Sequence, residues 1–177
     1  MSEQQPINQE SQWAEHEQNL RTLAAQGDVE ACYQLVVYFE NQFFSTDIDE
    51  AQQRVNLLVD ASNAKHAAAS LLLGRWYLQG HYVEANLQHA IAFFEFAANE
   101  CQSSDAYNEL ANLYLQGVFV VVNQEKAMHY LKKAVALKNA EATYAYAVLL
   151  LNHDLEQAFA LLQSNYQEQQ HQQSAKF

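Results

Sequence analysis

Apolar residues recur at intervals of three and four along most of the chain, which is the spacing of one face of an α-helix. One such stripe covers residues 73–77 and the next covers 90–97. The four glycines and the single proline supply too little turn chemistry for an all-β domain. The predicted fold class is therefore all-α, with about nine helices. The predicted helices lie near 10–26, 28–41, 48–62, 66–79, 85–100, 105–116, 124–137, 139–152 and 155–170.

The stripes return with a period of 37 residues, which is the distance from Gly80 to Gly117. The segment GHYVEANLQHA at 80–90 aligns with GVFVVVNQEKA at 117–127 in its glycine, aromatic residue, valine, asparagine and alanine. Weaker copies lie on both sides of this pair. Periods of roughly 20–50 residues indicate stacked supersecondary units, and each copy here is predicted to be a pair of helices.

Polar and small residues mark the ends of these helices. Asn86, Asn123 and Asp47 stand where an N-cap belongs, with a side chain that can accept from a free backbone N–H group. Gly80 and Gly117 fit the left-handed position that ends a helix. These residues support the assignment of two helices to each repeat.

The pattern Ala-x-x-x-Leu-Gly-x-x-Tyr-x-x-Gly, then Val-x-x-Asn-x-x-x-Ala and an aromatic pair, resembles the Sel-one-like repeat, a relative of the tetratricopeptide repeat. The resemblance covers roughly residues 20–166 and is strongest over 69–142. A period of 37 favours this family over tetratricopeptide repeats of about 34 residues. Tyr82 and Phe119 depart from the family, which usually has a second glycine there. The resemblance implies a right-handed α-solenoid of antiparallel helix pairs, with a concave protein-binding surface and no intrinsic catalysis.

The domain prediction is one repeat domain over residues 10–166, after a disordered N-terminus at 1–9 and before a polar, Gln-rich tail at 167–177. Within the domain, the predicted cap helix covers 10–26. The predicted repeats lie near 28–65, 66–103, 104–139 and 140–166. Terminal copies are expected to be degenerate because one side of each faces water.

Charge narrows the class of partner. The chain has 21 acidic and 9 basic residues, a net charge of −12 and a pI near 4.8. This balance argues against nucleic acid and anionic membrane surfaces, both of which need clustered Lys and Arg. The sequence has no signal-peptide pattern and no apolar run of about 20 residues, so no membrane insertion is predicted. Cys32 and Cys101 form no pair or metal-type spacing, which favours free thiols and a cytoplasmic location.

Enzyme motifs are absent from the sequence. It has no His-Glu-x-x-His, no Gly-x-Gly-x-x-Gly, no phosphate loop and no Gly-x-Ser-x-Gly. Glu125, His129 and His89 are too few to predict a metal site without further ligands. We therefore predict a non-enzymatic protein with no cofactor and no metal. The alternative is a small enzyme or metal-dependent sensor whose site is assembled only in three dimensions, with several perturbed pKa values in one cleft.

A cluster of lysines and an apolar loop are both expected to have mainly structural roles. Lys126, Lys132, Lys133 and Lys138 form one basic cluster, and the last three lie where cations complement a helix C-terminus. The apolar loop Val118–Val122 is expected to be tucked mostly between repeats, and any exposed part would be a docking patch.

The binding prediction rests on the first helix of each repeat, which the family resemblance places on the concave face. Residues off the buried stripe of those helices are predicted to bind another protein or a peptide, with self-association through a terminal repeat as a further possibility. The predicted contact residues are Tyr33, Val37, Leu71, Arg75, Gln79, Asn108, Asn112, Gln116, Tyr144 and Val148. The asparagine amides can pair with a peptide backbone, Arg75 can bind a carboxylate, and the tyrosines can flank them. The predicted function is that of an adaptor.

Overall fold

A computed structural model describes residues 9–42, 48–151 and 153–174. Every element in these ranges is a helix, and no strand occurs in them. The helices are α1 (Gln9–Ala25), α2 (Val29–Gln42), α3 (Ile48–Asn63), α4 (Ala67–Gln79), α5 (Leu87–Asn99), α6 (Ser104–Gln116), α7 (Gln124–Ala136), α8 (Ala140–Leu150) and α9 (Leu155–Ser174). The prediction of an all-α fold is confirmed.

The predicted helix ends agree with the observed ends to within two residues, with one exception. Helix α9 continues to Ser174, beyond the predicted end at 170. The helix therefore includes most of the segment from 167 that the sequence predicts as a polar tail. Gln and Glu dominate this segment, and both have good intrinsic helix propensity. The predicted disordered segment at 1–9 lies outside the described residues except for Gln9, which begins α1.

Side-chain caps begin most of these helices. Asn123 Oδ1 accepts from Lys126 N at 2.9 Å and Asn86 Oδ1 accepts from His89 N at 3.0 Å, so both predicted N-caps are confirmed. The predicted cap Asp47 lies outside the described residues. The same role is played by residues that the sequence reasoning did not identify, namely Asp28, His66, Ser103, Asn139 and Asp154. Each cap satisfies a backbone donor that the helix itself cannot.

The glycine positions after α4 and α6 are also confirmed. Gly80 (φ +77°) and Gly117 (φ +66°) are both left-handed, as a helix C-cap requires. Tyr82 stands where the family usually has its second glycine, and it is left-handed too, with φ +56°. A side chain at that angle costs about 1–2 kcal/mol. A glycine at position 82 would adopt this conformation without that cost.

The chain divides into two compact units, residues 1–90 and 91–177. In the first unit α1 packs on α2, α2 on α3, and α3 on α4. Leu20, Ala31 and Leu35 form a buried cluster that Leu23 and Leu57 complete. Burial of such side chains contributes about 25 cal/mol for each Å² removed from water.

The first unit also buries a charge. Arg54 on α3 is only 4% exposed, and its Nη1 donates to the Tyr82 hydroxyl at 2.7 Å. Its guanidinium lies 5.1 Å from the centre of the Tyr82 ring and 5.4 Å from that of Phe39. The carboxylate of Glu50 is 3.8 Å away. These contacts hold Tyr82 in its left-handed conformation, because a buried cation without partners would be strongly destabilising.

In the second unit α6 packs on α7, α7 on α8, and α8 on α9. The fully buried side chains include Phe94 on α5 and Leu131 on α7, which lie one period of 37 residues apart, and Leu110 on α6. Asn139 links two neighbouring repeats of the second unit, through α6 and α8. Its Oδ1 caps α8 at Ala142 N, and its Nδ2 donates to Asp105 Oδ1 on α6 at 2.8 Å.

The structure contradicts the sequence prediction for the loop Val118–Val122. This loop is mostly exposed, with Val118 at 71% and Val121 at 88%, and is not tucked between repeats. Both this loop and the loop after α4 are fixed at their ends, here by Gly117 and by the backbone N–H of Asn123, which donates to Tyr114 O at 3.0 Å. In the loop after α4, Tyr82 packs against Trp76 and accepts from Arg54. The valines have neither a hydroxyl nor a ring with which to make such contacts.

Candidate functional site

The predicted contact residues of the first unit differ in how much surface they offer. Arg75 and Gln79 on α4 are exposed, and Tyr33 and Val37 on α2 are half-buried. Leu71 is only 8% exposed, so it offers a partner almost no surface. The spacing that placed Leu71 off its own stripe could not show that packing would cover it.

Tyr33 takes part in a network that caps α4. Its ring centre lies 4.7 Å from that of His66. His66 Nδ1 accepts from Ala69 N at 3.1 Å, so the neutral ring carries its proton on Nε2, which donates to Glu30 Oε2 at 2.9 Å. Hydrogen bonds from His66 and then from Gln34 lower the pKa of the Glu30 carboxyl. The side of the Tyr33 ring that contacts His66 therefore packs against the cap of α4 and is not available to a partner.

The predicted contact residues of the second unit differ in the same way. Asn108 is 8% exposed, and its Nδ2 donates to Glu141 Oε2 on α8 at 3.2 Å, so its amide serves the scaffold. Asn112 is half-buried and Gln116 is exposed. Tyr144, at 61% exposure on α8, offers far more surface than Asn108, the equivalent residue of the preceding repeat.

A cavity of about 420 Å³ opens beside Tyr144, between α8 and α9. Its lining residues are Ala140, Glu141, Tyr144, Leu162, Asn165, Tyr166 and Gln169. Asn165 Nδ2 donates to Ala140 O at 3.0 Å, which ties the two helices together at its base. Tyr166, at 64% exposure, stands on the opposite wall. The cavity is open to solvent, with aromatic walls and a few polar groups.

Sequence reasoning found one wall of this cavity and missed the other. Tyr144 belongs to the predicted set, whereas Tyr166, Asn165 and Gln169 lie on α9, the second helix of its pair. The signal that could have found them is the polar residue Asn165 inside an otherwise amphipathic segment. Its burial at 9% exposure marks a place where two helices meet through a hydrogen bond.

The perturbed titratable groups of the described residues do not share one cleft. Burial, and then the charges of Asp60 and Asp28, raise the pKa of the Cys32 thiol. Burial, and then Glu95, raise the pKa of Tyr130 to about 12. Neither group lines the cavity, and within the described ranges no cluster of three or more His, Cys, Asp or Glu side chains could hold a metal ion. The alternative of an enzyme or metal sensor gains no support from these positions.

The basic cluster is engaged with aromatic rings. Lys126 Nζ lies 5.0 Å from the centre of the Tyr114 ring, and Lys133 Nζ lies 5.1 Å from that of Tyr107. Lys132 lies 5.8 Å from the ring of Tyr146. These distances are within the range of cation–π attraction, so the lysines stabilise the second unit itself.

A family model described as Sel1 repeat matches residues 67–100 and 104–139. Two consecutive segments of the chain thus match the Sel1 repeat. They correspond to α4–α5 and α6–α7, where the sequence resemblance was strongest, and the resemblance to this family is confirmed. No curated protein matched the chain.

Solved structures of Sel1 repeat proteins share the fold. One is the crystal structure of a Sel1 repeat protein from Oxalobacter formigenes, with a TM-score of 0.71 and 19% identity; the match covers 87% of this chain and 64% of that one. Another is a protective antigen present in uropathogenic Escherichia coli strains that displays an SLR fold. That match has a TM-score of 0.66 and 20% identity and covers 86% of this chain and 33% of that one. The fold class is thus an all-α solenoid. The chain spans less than two thirds of the length of either protein. In the part that the structure describes, no helix is both long and apolar enough to span a bilayer.

Proposed function

We propose that this chain is a non-enzymatic adaptor that binds another polypeptide through the exposed faces of the first helices of its repeats. The observation that carries the proposal is the exposure of Tyr144 and Val148 on α8, beside an open cavity. Exposed aromatic and apolar side chains next to a concave site are typical of interaction surfaces. Sel1 repeats typically mediate protein–protein interaction, which agrees with this assignment.

The exposed residues of the predicted set have suitable chemistry for polypeptide binding. Asn112 and Gln116 carry amides that both donate to and accept from a peptide backbone. Tyr144 offers a large amphipathic contact area at low entropic cost. In the first unit Arg75 can pair with a carboxylate. Leu71 and Asn108 are left out of the proposed contact set because both are buried.

The proposed location is a reducing compartment, the cytoplasm. Cys32 and Cys101 are both free thiols. Cys32 is buried with a raised pKa, so it is a poor nucleophile and has no partner for a disulfide. Structural disulfides are rare in the cytosol, and a chain whose Cys32 and Cys101 form no disulfide fits that setting.

Site-specific photo-crosslinking tests the proposal. A photoreactive phenylalanine analogue replaces Tyr144 on α8, and in a matched control it replaces His129, which is exposed on the second helix α7. We expect cells of the native host to give one dominant crosslinked polypeptide from position 144 and none from position 129. Equal crosslinking from both positions would contradict binding through the first helices. A crosslink between two copies of this chain would instead indicate self-association, for which the exposed Leu155 and Phe159 on α9 offer an apolar face.

A further inference from the structure

The cavity between α8 and α9 combines two tyrosines with one carboxylate. Tyr144 and Tyr166 are both more than half exposed and stand on opposite helices, and Glu141 lies one turn before Tyr144 on α8. Gln169 adds a side-chain carbonyl oxygen on α9. Aromatic faces, a carboxylate and an amide oxygen all attract positive charge or N–H donors. No group lining the cavity carries a positive charge.

The local charge has the same sign over a wider stretch. From residue 140 to residue 174 the sequence holds the acidic residues Glu141, Asp154, Glu156 and Glu168, and no lysine or arginine. The chain as a whole carries a net charge of −12. Lys138 and Lys176 flank this stretch, so residues 138–176 together carry a net charge of −2. A net negative charge favours the approach of a cation over that of an anion.

Glu141 has capacity for a further donor. Its Oε2 accepts from Asn108 Nδ2 at 3.2 Å. No hydrogen bond to Oε1 occurs among the described residues. A carboxylate can accept several hydrogen bonds, including a bidentate pair from a guanidinium. The contact with Asn108 also fixes the orientation of the carboxylate at the mouth of the cavity.

Several other tyrosines of this chain lie beside a cation of the chain. The rings of Tyr82, Tyr107, Tyr114 and Tyr146 each have an arginine or lysine of this chain within 5.8 Å of the ring centre. Within the described ranges, no arginine or lysine lies over the ring of Tyr144 or Tyr166. Their faces are left available for a cation from outside.

We propose that this cavity binds a single positively charged side chain, lysine or arginine, of the partner polypeptide. The inference rests on the proposed function and adds the chemistry that the partner must present. The side chain would insert between Tyr144 and Tyr166, with its charge towards Glu141 and an N–H group towards Gln169. A volume of about 420 Å³ accommodates a guanidinium or ammonium group together with ordered water. An acidic side chain would place like charge against Glu141, and an apolar one would make no use of the acceptor Glu141 Oε1.

A pair of matched small probes tests the charge requirement without the partner. N-acetylarginine methylamide and N-acetylcitrulline methylamide have nearly the same shape, but only the first is charged. Each is titrated into the full chain and followed by the amide resonances of α8 and α9. We expect weak binding of the arginine probe at the cavity, with an affinity at least about fivefold higher than that of the citrulline probe. The preference should shrink in high salt because part of it is electrostatic.

Variants of the cavity locate the binding. Glu141→Gln keeps an acceptor for Asn108 and removes the charge, and Tyr144→Leu removes one aromatic wall. The control Glu156→Gln removes the same charge from α9, at a residue that does not line the cavity. We expect the first two variants to abolish the preference for the arginine probe, whereas Glu156→Gln retains it.

Three results would overturn the proposal: equal affinity for the two probes, resonance shifts confined to other helices, or an equal loss in Glu141→Gln and Glu156→Gln. Failure of this inference is separable from failure of the proposed function. A partner that crosslinks to position 144 while the arginine probe shows no preference refutes the cationic side chain and leaves the adaptor in place. A Glu141-dependent preference for the arginine probe supports the cavity whether or not that crosslink is found.

Discussion

Tyr82 shows how one side chain can offset the strain of its own backbone. Its φ of +56° is a conformation that glycine adopts freely and that other residues adopt at a cost of about 1–2 kcal/mol. The hydroxyl accepts from the buried Arg54 guanidinium, and the ring packs 4.6 Å from that of Trp76, measured between centres. The tyrosine therefore stabilises a buried charge that a glycine could not reach.

Removal of the Tyr82 hydroxyl should destabilise the protein. Tyr82→Phe removes the hydroxyl that accepts from Arg54 Nη1, and loss of a hydrogen bond to a buried charge costs about 1.5–3 kcal/mol. The control is Tyr38→Phe, because the Tyr38 hydroxyl donates to Trp13 O at an exposed site and its loss should cost well under about 1 kcal/mol. Chemical denaturation of both variants measures the difference. Equal midpoints would show that the Arg54 contact contributes nothing to stability.

Tyr130 gives a prediction at alkaline pH. Its hydroxyl donates to Glu95 Oε1, and burial followed by that carboxylate raises its pKa to about 12, above the usual value of about 10. Between these two pH values the folded chain holds a proton that the unfolded chain has released. The free energy of unfolding should therefore fall as the pH rises from 10 to 12. Tyr130→Phe should show a smaller fall over that window, as measured by denaturation at fixed pH; an identical slope would contradict the assignment.

At the scale of the helix, some N-cap residues only cap their own helix, whereas others also bond to a neighbouring helix. Asn123 caps α7 at an exposed position, and its Oδ1 accepts from Lys126 N. Asn139 caps α8 and also donates to Asp105 on the preceding first helix, α6. An aspartate can replace the cap oxygen at either place, but it cannot donate an N–H group.

Aspartate substitutions separate these two roles. Asn123→Asp should leave the free energy of unfolding nearly unchanged, because Asp is an equally good N-cap. Asn139→Asp should destabilise the protein by about 1–3 kcal/mol, since it loses the bond to Asp105 and sets two carboxylates against each other. Denaturation curves of the two variants provide the comparison. Equal effects would mean that the contact between repeats contributes no stability beyond the cap.

The elements were predictable to the extent that local sequence determines them. The stripes and the glycines at 80 and 117 gave helix ends within two residues for all but α9. The caps His66 and Ser103 were missed because they do not lie at the repeat position that Asn86 and Asn123 share. The site was predictable only in part. Spacing assigns Leu71 and Asn108 to one side of their own helices, but whether a neighbouring helix covers that side depends on packing.

Net charge is the property of the whole molecule that bears most on partners. Residues 1–90 hold twelve acidic and four basic side chains, and residues 91–177 hold nine and five, so both units are negative. A field of one sign speeds the approach of a basic partner and slows that of an acidic one. The proposed adaptor should therefore bind its partner more slowly as salt is added.

The central claim is that the first helices bind a polypeptide, and titration of the crosslinked partner against single variants tests it most directly. Asn112→Ala and Tyr144→Ala in the second unit, and Arg75→Ala in the first, should each weaken binding by about 1–2 kcal/mol without lowering the Tm appreciably. His129→Ala on the second helix α7 should leave the affinity unchanged. Unchanged affinity in all three variants, with a loss on Val121→Ser, would contradict the account and move the site to the exposed loop Val118–Val122.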